Sequence, residues 1–229
     1  MNEFLAEITA SQSLAFYADA VRSTLVVTVV STLLAYIIGI PLGILLYGTA
    51  KNSIFPNKYV NAGVGFVVNV IRSIPFIILL VMTQPLAAMV VGTRIGDNAF
   101  IFHLVLAAAP FVARMIESSL REVDAGVIEA AQSMGSTGMQ IMFKVVIPEA
   151  KPSLIVGGAI AITTILGYTP MTYLIGGGGL GKIAIQYGLY RSEPPKMYIS
   201  SLLLIILVQI LQEVLNHLAK VCDKRIRNK

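Results

Sequence analysis

The residues of this 229-residue chain that could carry chemistry are few and far apart. There is one cysteine, Cys222, and there are two histidines, His103 and His217. One thiol excludes an internal disulfide framework, and two separated imidazoles build no conventional metal site without other ligand types. The apolar segments lack the paired carboxylates, His clusters or Ser/His/Asp arrangement that a membrane enzyme needs. The run Gly176–Gly179 with Leu180-Gly181-Lys182 has the superficial look of a phosphate loop. However, Ile183 follows where a Ser or Thr belongs, so no ATP-binding loop is present and no cofactor is expected in the chain itself.

What must be positioned is therefore a set of apolar and small residues. The chain is 56% hydrophobic and 13% charged, against roughly 25% charged in an ordinary soluble domain. Uncharged runs cover 23–50, 73–93, 98–113, 152–181 and 197–212, and several exceed the ~20 residues that cross a bilayer. The expected fold is an all-α integral membrane protein with about five transmembrane helices, at 22–48, 59–83, 98–116, 153–175 and 197–219, forming a single domain over 1–229. Gly39, Pro41, Gly43, Pro75, Gly157, Gly158, Gly167 and Pro170 fall inside these spans, where such residues let helices approach closely or break. In the fourth span, Gly167, Pro170 and Gly176–Gly179 concentrate the irregularity near one end, a place for a substrate path or gate. The first 22 residues carry Glu3, Glu7 and Asp19 and lack a basic start followed by an apolar stretch, so no cleavable signal is expected.

Charge fixes an orientation. With the N-terminus outside, Lys51, Lys58, Arg114, Arg121, Lys144, Lys151, Lys220, Lys224, Arg225, Arg227 and Lys229 lie inside; Arg22, Arg94, Lys182, Arg191 and Lys196 lie outside. This bias of eleven to five predicts a cytoplasmic C-terminus. The basic residues sit at membrane edges without interleaved aromatics, which excludes a nucleic-acid platform. The tail from Lys220 to Lys229 is expected to meet anionic lipid headgroups.

The segment 117–151 is too polar to cross a membrane and predicts two short helices on the cytoplasmic side. Ser119 to Glu122 has a capping pattern, and Leu120, Val123, Val127, Ala131 and Met134 recur at helical spacing. Gly135 is placed to end that helix. Thr137 to Gln140 forms a second capping pattern that opens a helix running through Met139, Ile141 and Met142, and Pro148 is expected to end it.

Within this segment Glu129-Ala130-Ala131, three residues, Gly135, nine residues, then Val145-Val146-Ile147-Pro148 resembles the EAA loop of ABC importer permeases. It departs at Val145 and Ile147, both volume-similar apolar changes. Further stretches, Arg72-Ser73-Ile74-Pro75-Phe76-Ile77-Ile78-Leu79-Leu80, Gly167-Tyr168, Gly178-Gly179-Leu180-Gly181 and Gln186-Tyr187-Gly188, resemble the methionine permeases, and the likeness runs from about residue 20 to 215. The resemblance implies a homodimer in the bacterial cytoplasmic (inner) membrane. Two ABC ATPase subunits would bind ATP and magnesium, and an extracytoplasmic substrate-binding (lipo)protein would deliver methionine of either hand and close analogues. Glu129, Ala130, Ala131, Gly135, Met139, Ile147 and Pro148 would form the ATPase-coupling loop.

Tyr168, Met171, Tyr173 and Arg72 are candidates for the translocation pathway, since a zwitterion with a thioether suits soft apolar contacts and few fixed charges. Thr169-Pro170-Met171-Thr172-Tyr173 is bulkier than the resemblance leads one to expect, so another amino acid or a small peptide stays open as cargo. Arg72 and Glu213 are the charges nearest to intramembrane positions, with helix-end placement as the plainer reading. His103 is read as a hydrogen-bonded bundle histidine. An ATPase-independent secondary transporter or channel, the less favoured alternative, would need coupling ions or a filter, and the sequence shows no ring of intramembrane acids to couple a proton.

Overall fold

A computed structural model describes residues 11–222. The residues before Ser11 and after Cys222, including Lys224, Arg225, Arg227 and Lys229 of the basic tail, lie outside the described residues.

The described chain is helical. The first apolar run forms α1, Ser11–Gly48, eleven residues longer at its start than the predicted span. After a short loop, Asn57 accepts hydrogen bonds from Tyr59 N and Val60 N and opens α2, Lys58–Ser73. Pro75 disfavours helical geometry at Ile74, which takes φ −82°, ψ 124°. The predicted second span, 59–83, is therefore not one straight helix: α2 and α3 (Phe76–Met82) are bent by 102° at this break. Thr83 then joins α3 to α4, Gln84–Val91, which Gly92 ends in the left-handed region.

The third run becomes α5, Gly96–Arg121, five residues longer than predicted at its C-terminal end. Three short helical stretches follow: α6, Ala125–Ser133; α7, Gly138–Ile141; and α8, Ile147–Glu149. Next come α9, Lys151–Tyr168, continued as a 3₁₀ turn over Thr169–Ile175; α10, Leu180–Lys182; a π-helical stretch Ile183–Tyr190; and α11, Pro194–Cys222. Among the described residues four segments are long and apolar enough to cross a membrane, and the bent pair α2–α3 makes a fifth if counted as one span.

The described residues divide into two compact units. One comprises the chain through Leu33, Pro75–Leu106 and Ile162–Gln212; the other comprises Leu34–Ile74, Ala107–Ala161 and the chain from Glu213. In the first unit Tyr17, Ala20, Leu180, Ile183 and Ile199 form a buried cluster, with Phe16 and Tyr187 packed on it. In the second, Leu46, Val68 and Ala113 tie together α1, α2 and α5. Gly39 and Gly43 explain how α1 meets α5: added Cβ atoms would lie 2.6 Å from Val112 Cγ1 and 2.7 Å from Ala113 O. This Gly-x-x-x-Gly face lets one backbone approach the other, which is how membrane helices gain packing without a hydrophobic drive. Ile37, Phe66, Val81 and Met89, by contrast, are each more than 60% exposed, as lipid-facing residues are.

Candidate functional site

The segment between α5 and α9 is built from the end of α5 outward. Ser119 does not cap a new helix. It is buried in the last turn of α5, and its Oγ accepts a hydrogen bond from Ser153 Oγ at 3.0 Å. An apolar helix that has already begun has its amides paired, so a Ser-x-x-Glu pattern inside it has nothing to cap. Asp124 does that work, accepting from Gly126 N at 2.8 Å. Leu120, Val123 and Ala131 are buried, whereas Val127 and Met134 are 41% and 79% exposed. Glu129 and Ala130 are exposed on α6.

Gly135 ends α6 at φ +77°, with Gly135 N donating to Gln132 O and Ser136 N to Ala131 O. This paired closure satisfies the last carbonyls and needs a left-handed residue at that position. The second capping pattern forms as expected: Gln140 N donates to Thr137 Oγ1 at 3.4 Å and Thr137 N to Gln140 Oε1 at 2.9 Å. Pro148 does not stop the helix. The turn Met142–Val146 is π-helical, and Ile147 N donates to Met142 O, so the ladder widens by one residue just before the proline. The wider turn makes room for a ring that would otherwise strike the carbonyl four residues back. Helical structure then runs through Glu149 almost into α9.

This segment has two faces. Ala131, Ile141, Met142, Val146 and Ala150 are buried. Gly138 lies so close to the α1–α2 connection that an added Cβ would be 2.7 Å from Ile54 Cγ2 and from the Phe55 ring. Outward, Met134, Met139 and Phe143 are 79%, 58% and 53% exposed, Pro148 is exposed, and Ile147 is half-buried.

The candidate pathway residues do not form one group. Tyr168 stacks on Phe76 at 4.6 Å, and Phe76 meets Phe100 edge-on at 5.8 Å. Tyr173 lies 5.9 Å from Tyr190, and half-buried Met171 lies two residues before Tyr173 on the 3₁₀ turn. Arg72 is exposed in the last turn of α2, in the other unit, and Glu213 is exposed on α11. His103 is fully buried with Nδ1 2.8 Å from Thr83 Oγ1, as a bundle histidine should be. Among the described residues no group of three or more His, Cys, Asp or Glu is placed to hold a metal ion.

The irregular end of the fourth span has a local cause. Pro170 has no N–H to give Leu166 O, and the Thr169 hydroxyl donates to that carbonyl instead at 2.7 Å. The chain tightens into the 3₁₀ turn, and Gly176 and Gly179 then reverse it at φ +70° and +96°. A side chain on Gly181 would collide with Pro170 backbone atoms.

Two sets of interactions built on acidic side chains, Asp97 and Glu117, went unremarked in the sequence. Asp97 accepts from Gly178 N at 2.6 Å and from Ser23 Oγ at 2.8 Å, fastening the glycine run. Glu117, with a side chain 7% exposed, pairs with Arg114 and Arg121, each at 2.7 Å. The second set had a legible signal, because acid and bases three and four residues apart share a helix face.

Long apolar helices, close glycine crossings and a looped pair of short helices with an uncovered Met/Phe face define a multi-spanning α-helical membrane protein. The chain belongs to the family of binding-protein-dependent transport system inner membrane components, which matches residues 39–228. It is 42% identical over 206 residues to the probable D-methionine transport system permease protein MetI of Vibrio cholerae, covering 90% of this chain and 92% of that protein. It is also 42% identical over 181 residues to the methionine import system permease protein MetP of Bacillus subtilis, covering 79% and 82%. A membrane chain of the MetNI methionine ABC transporter, solved in inward-facing conformations, superposes with a TM-score of 0.91 at 40% identity, covering 94% of this chain and all of that one.

Proposed function

We propose that residues 1–229 act as a single transmembrane domain, the permease subunit of an ATP-driven ABC importer that carries methionine of either hand and close analogues. The observation that carries the coupling role is the outward face of Met134, Met139 and Phe143, with Glu129 exposed on α6, on a segment too polar to lie in the bilayer. Met and Phe uncovered beside a carboxylate suit a protein groove, where apolar anchors supply affinity and charge sets register. The groove belongs to an ATPase subunit, and two ATPases holding ATP and magnesium close beneath a homodimer of this chain. Movement enters through Glu129, Ala130, Ala131, Gly135, Met139, Ile147 and Pro148. The chain sits in the bacterial cytoplasmic membrane with its N-terminus outside and C-terminus inside, and a binding (lipo)protein delivers cargo from the outer side. The likeness to MetI and MetP supports methionine as that cargo.

The test is reconstitution of the chain with its co-purifying ATPase and binding protein in proteoliposomes, measuring uptake of radiolabelled L- and D-methionine. ATP-dependent uptake is expected. Uptake that persists without nucleotide would mean a secondary transporter or channel. ATP-driven uptake of a different amino acid or a peptide, with methionine ignored, would overturn the cargo alone.

A further inference from the structure

Glu117 is a carboxylate inside a candidate membrane span, only 7% of its side chain is exposed, and both of its oxygens are used. Oε2 accepts from Arg114 Nη1 and Oε1 from Arg121 Nη2, each at 2.7 Å. Arg121 is 56% exposed and ends there, whereas Arg114 is 27% exposed and goes further. Its second terminal nitrogen, Nη2, crosses to α2, donating to Gly65 O at 3.3 Å and Asn69 Oδ1 at 3.0 Å. Gly65 is buried, and an added Cβ there would stand 3.2 Å from that same nitrogen, so the guanidinium lies close against the α2 backbone at this position. The planar guanidinium can grip an acid with one nitrogen and a neighbouring helix with the other in a fixed fork, which a compact lysine ammonium reproduces only in part.

A buried ion pair is weak evidence for stability as such, because desolvation offsets its Coulomb gain. Arg114 is also more than an intrahelical partner, since part of its donor set goes to another helix. That helix is tied to α5 by the packing of Leu46, Val68 and Ala113 around the same level. From Arg114, α5 runs about 10 Å to Arg121, and only Glu122 and Val123 separate it from the cap at Asp124 that opens α6.

We propose that Arg114, braced by Glu117, is the strut that passes movement of the 125–148 segment into α2. It is a positioning residue for transport that does not touch cargo. The proposal rests on the reading of that segment as the ATPase dock.

The experiment compares uptake per ATP hydrolysed in proteoliposomes holding the full complex. Arg114→Met keeps much of the apolar stem and removes the fork. It should lower methionine uptake per ATP by roughly two- to thirtyfold, the range expected for a coupling element, while the ATPase stays bound and hydrolyses. Arg114→Lys should recover part of the ratio, and Asn69→Ala, which removes the Oδ1 acceptor that Nη2 reaches at 3.0 Å, should lower it to a lesser degree. A wild-type ratio in Arg114→Met overturns the strut, as does a loss of uptake and hydrolysis in proportion with the ATPase still bound. If Arg114→Met fails to assemble, Asn69→Ala decides alone, and a wild-type ratio there overturns the proposal. Failure of the importer reading looks different, because the unaltered complex would then show no ATP-driven uptake.

Discussion

The ring of Phe55 lies where a Cβ on Gly138 would be 2.7 Å from it, so the connection between α1 and α2 fits against α7 only because position 138 has no side chain. Gly138→Ala should therefore destabilise the chain despite alanine's better helix propensity. Overpacking of this kind costs about 1–3 kcal/mol, against a propensity gain of about 1 kcal/mol. Phe55→Leu, which removes the ring, should recover part of the loss in the double variant, with Ile54 Cγ2, also 2.7 Å from the added Cβ, accounting for the rest. Thermal unfolding of the detergent-purified chain measures both, and strictly additive effects would mean the two residues do not meet.

Gly135 obeys a different rule. Nothing lies within 4 Å of its absent side chain, yet its φ is +77°. Conformation, and not space within the subunit, limits this position. Asn should be tolerated best, Ala should cost about 1–2 kcal/mol, and β-branched Val more. Gly135→Phe should still insert its spans but lose ATPase on co-purification. Normal ATP-driven uptake by that variant with the ATPase bound would remove the loop from the coupling role.

The two glycines show how far the chain was legible. Gly135, Thr137 and Gln140 act through neighbours within five residues, so the sequence alone placed the turn and the second cap. Pro148 misled because the rule that proline ends a helix assumes an α ladder, and a π turn over Met142–Val146 relaxes that clash. The break at Ile74–Pro75 was signalled by the proline, but the 102° angle was not, since packing sets it. Asn69 and Gly65 as partners of Arg114 were out of reach, lying 45 and 49 residues away on another helix. The short helices α4 and α10 lay unseen inside segments read only as span ends or connections.

Thr169 and Pro170 form a compensating pair around Leu166 O. Thr169→Val preserves shape but removes the hydroxyl, leaving that buried carbonyl without its donor, at a cost of about 1–3 kcal/mol. Thr169→Ser should be close to neutral. In a Pro170→Ala background the restored backbone N–H can serve the carbonyl, so the same Thr169→Val change should cost less. A double-mutant cycle on thermal unfolding reads the difference, and equal costs in both backgrounds would separate the two residues.

Asp97 holds the glycine run from one side, through Gly178 N and Ser23 Oγ, while Thr24 Oγ1 accepts from Leu180 N at 2.9 Å and Thr172 Oγ1 donates to Gly178 O at 2.9 Å. Side chains on Gly177 and Gly178 would press on Asp97 and Ser23, so the loop backbone lies directly on these polar groups. A carboxylate accepting a backbone N–H contributes about 1.5–3 kcal/mol. Asp97→Ala should therefore raise amide hydrogen exchange over residues 177–180 by at least about tenfold. Asp97→Asn keeps one acceptor for Gly178 N and offers Ser23 a donor, so it should restore most of the protection. Unchanged exchange in Asp97→Ala would mean that Thr172 and Thr24 hold the loop without the carboxylate.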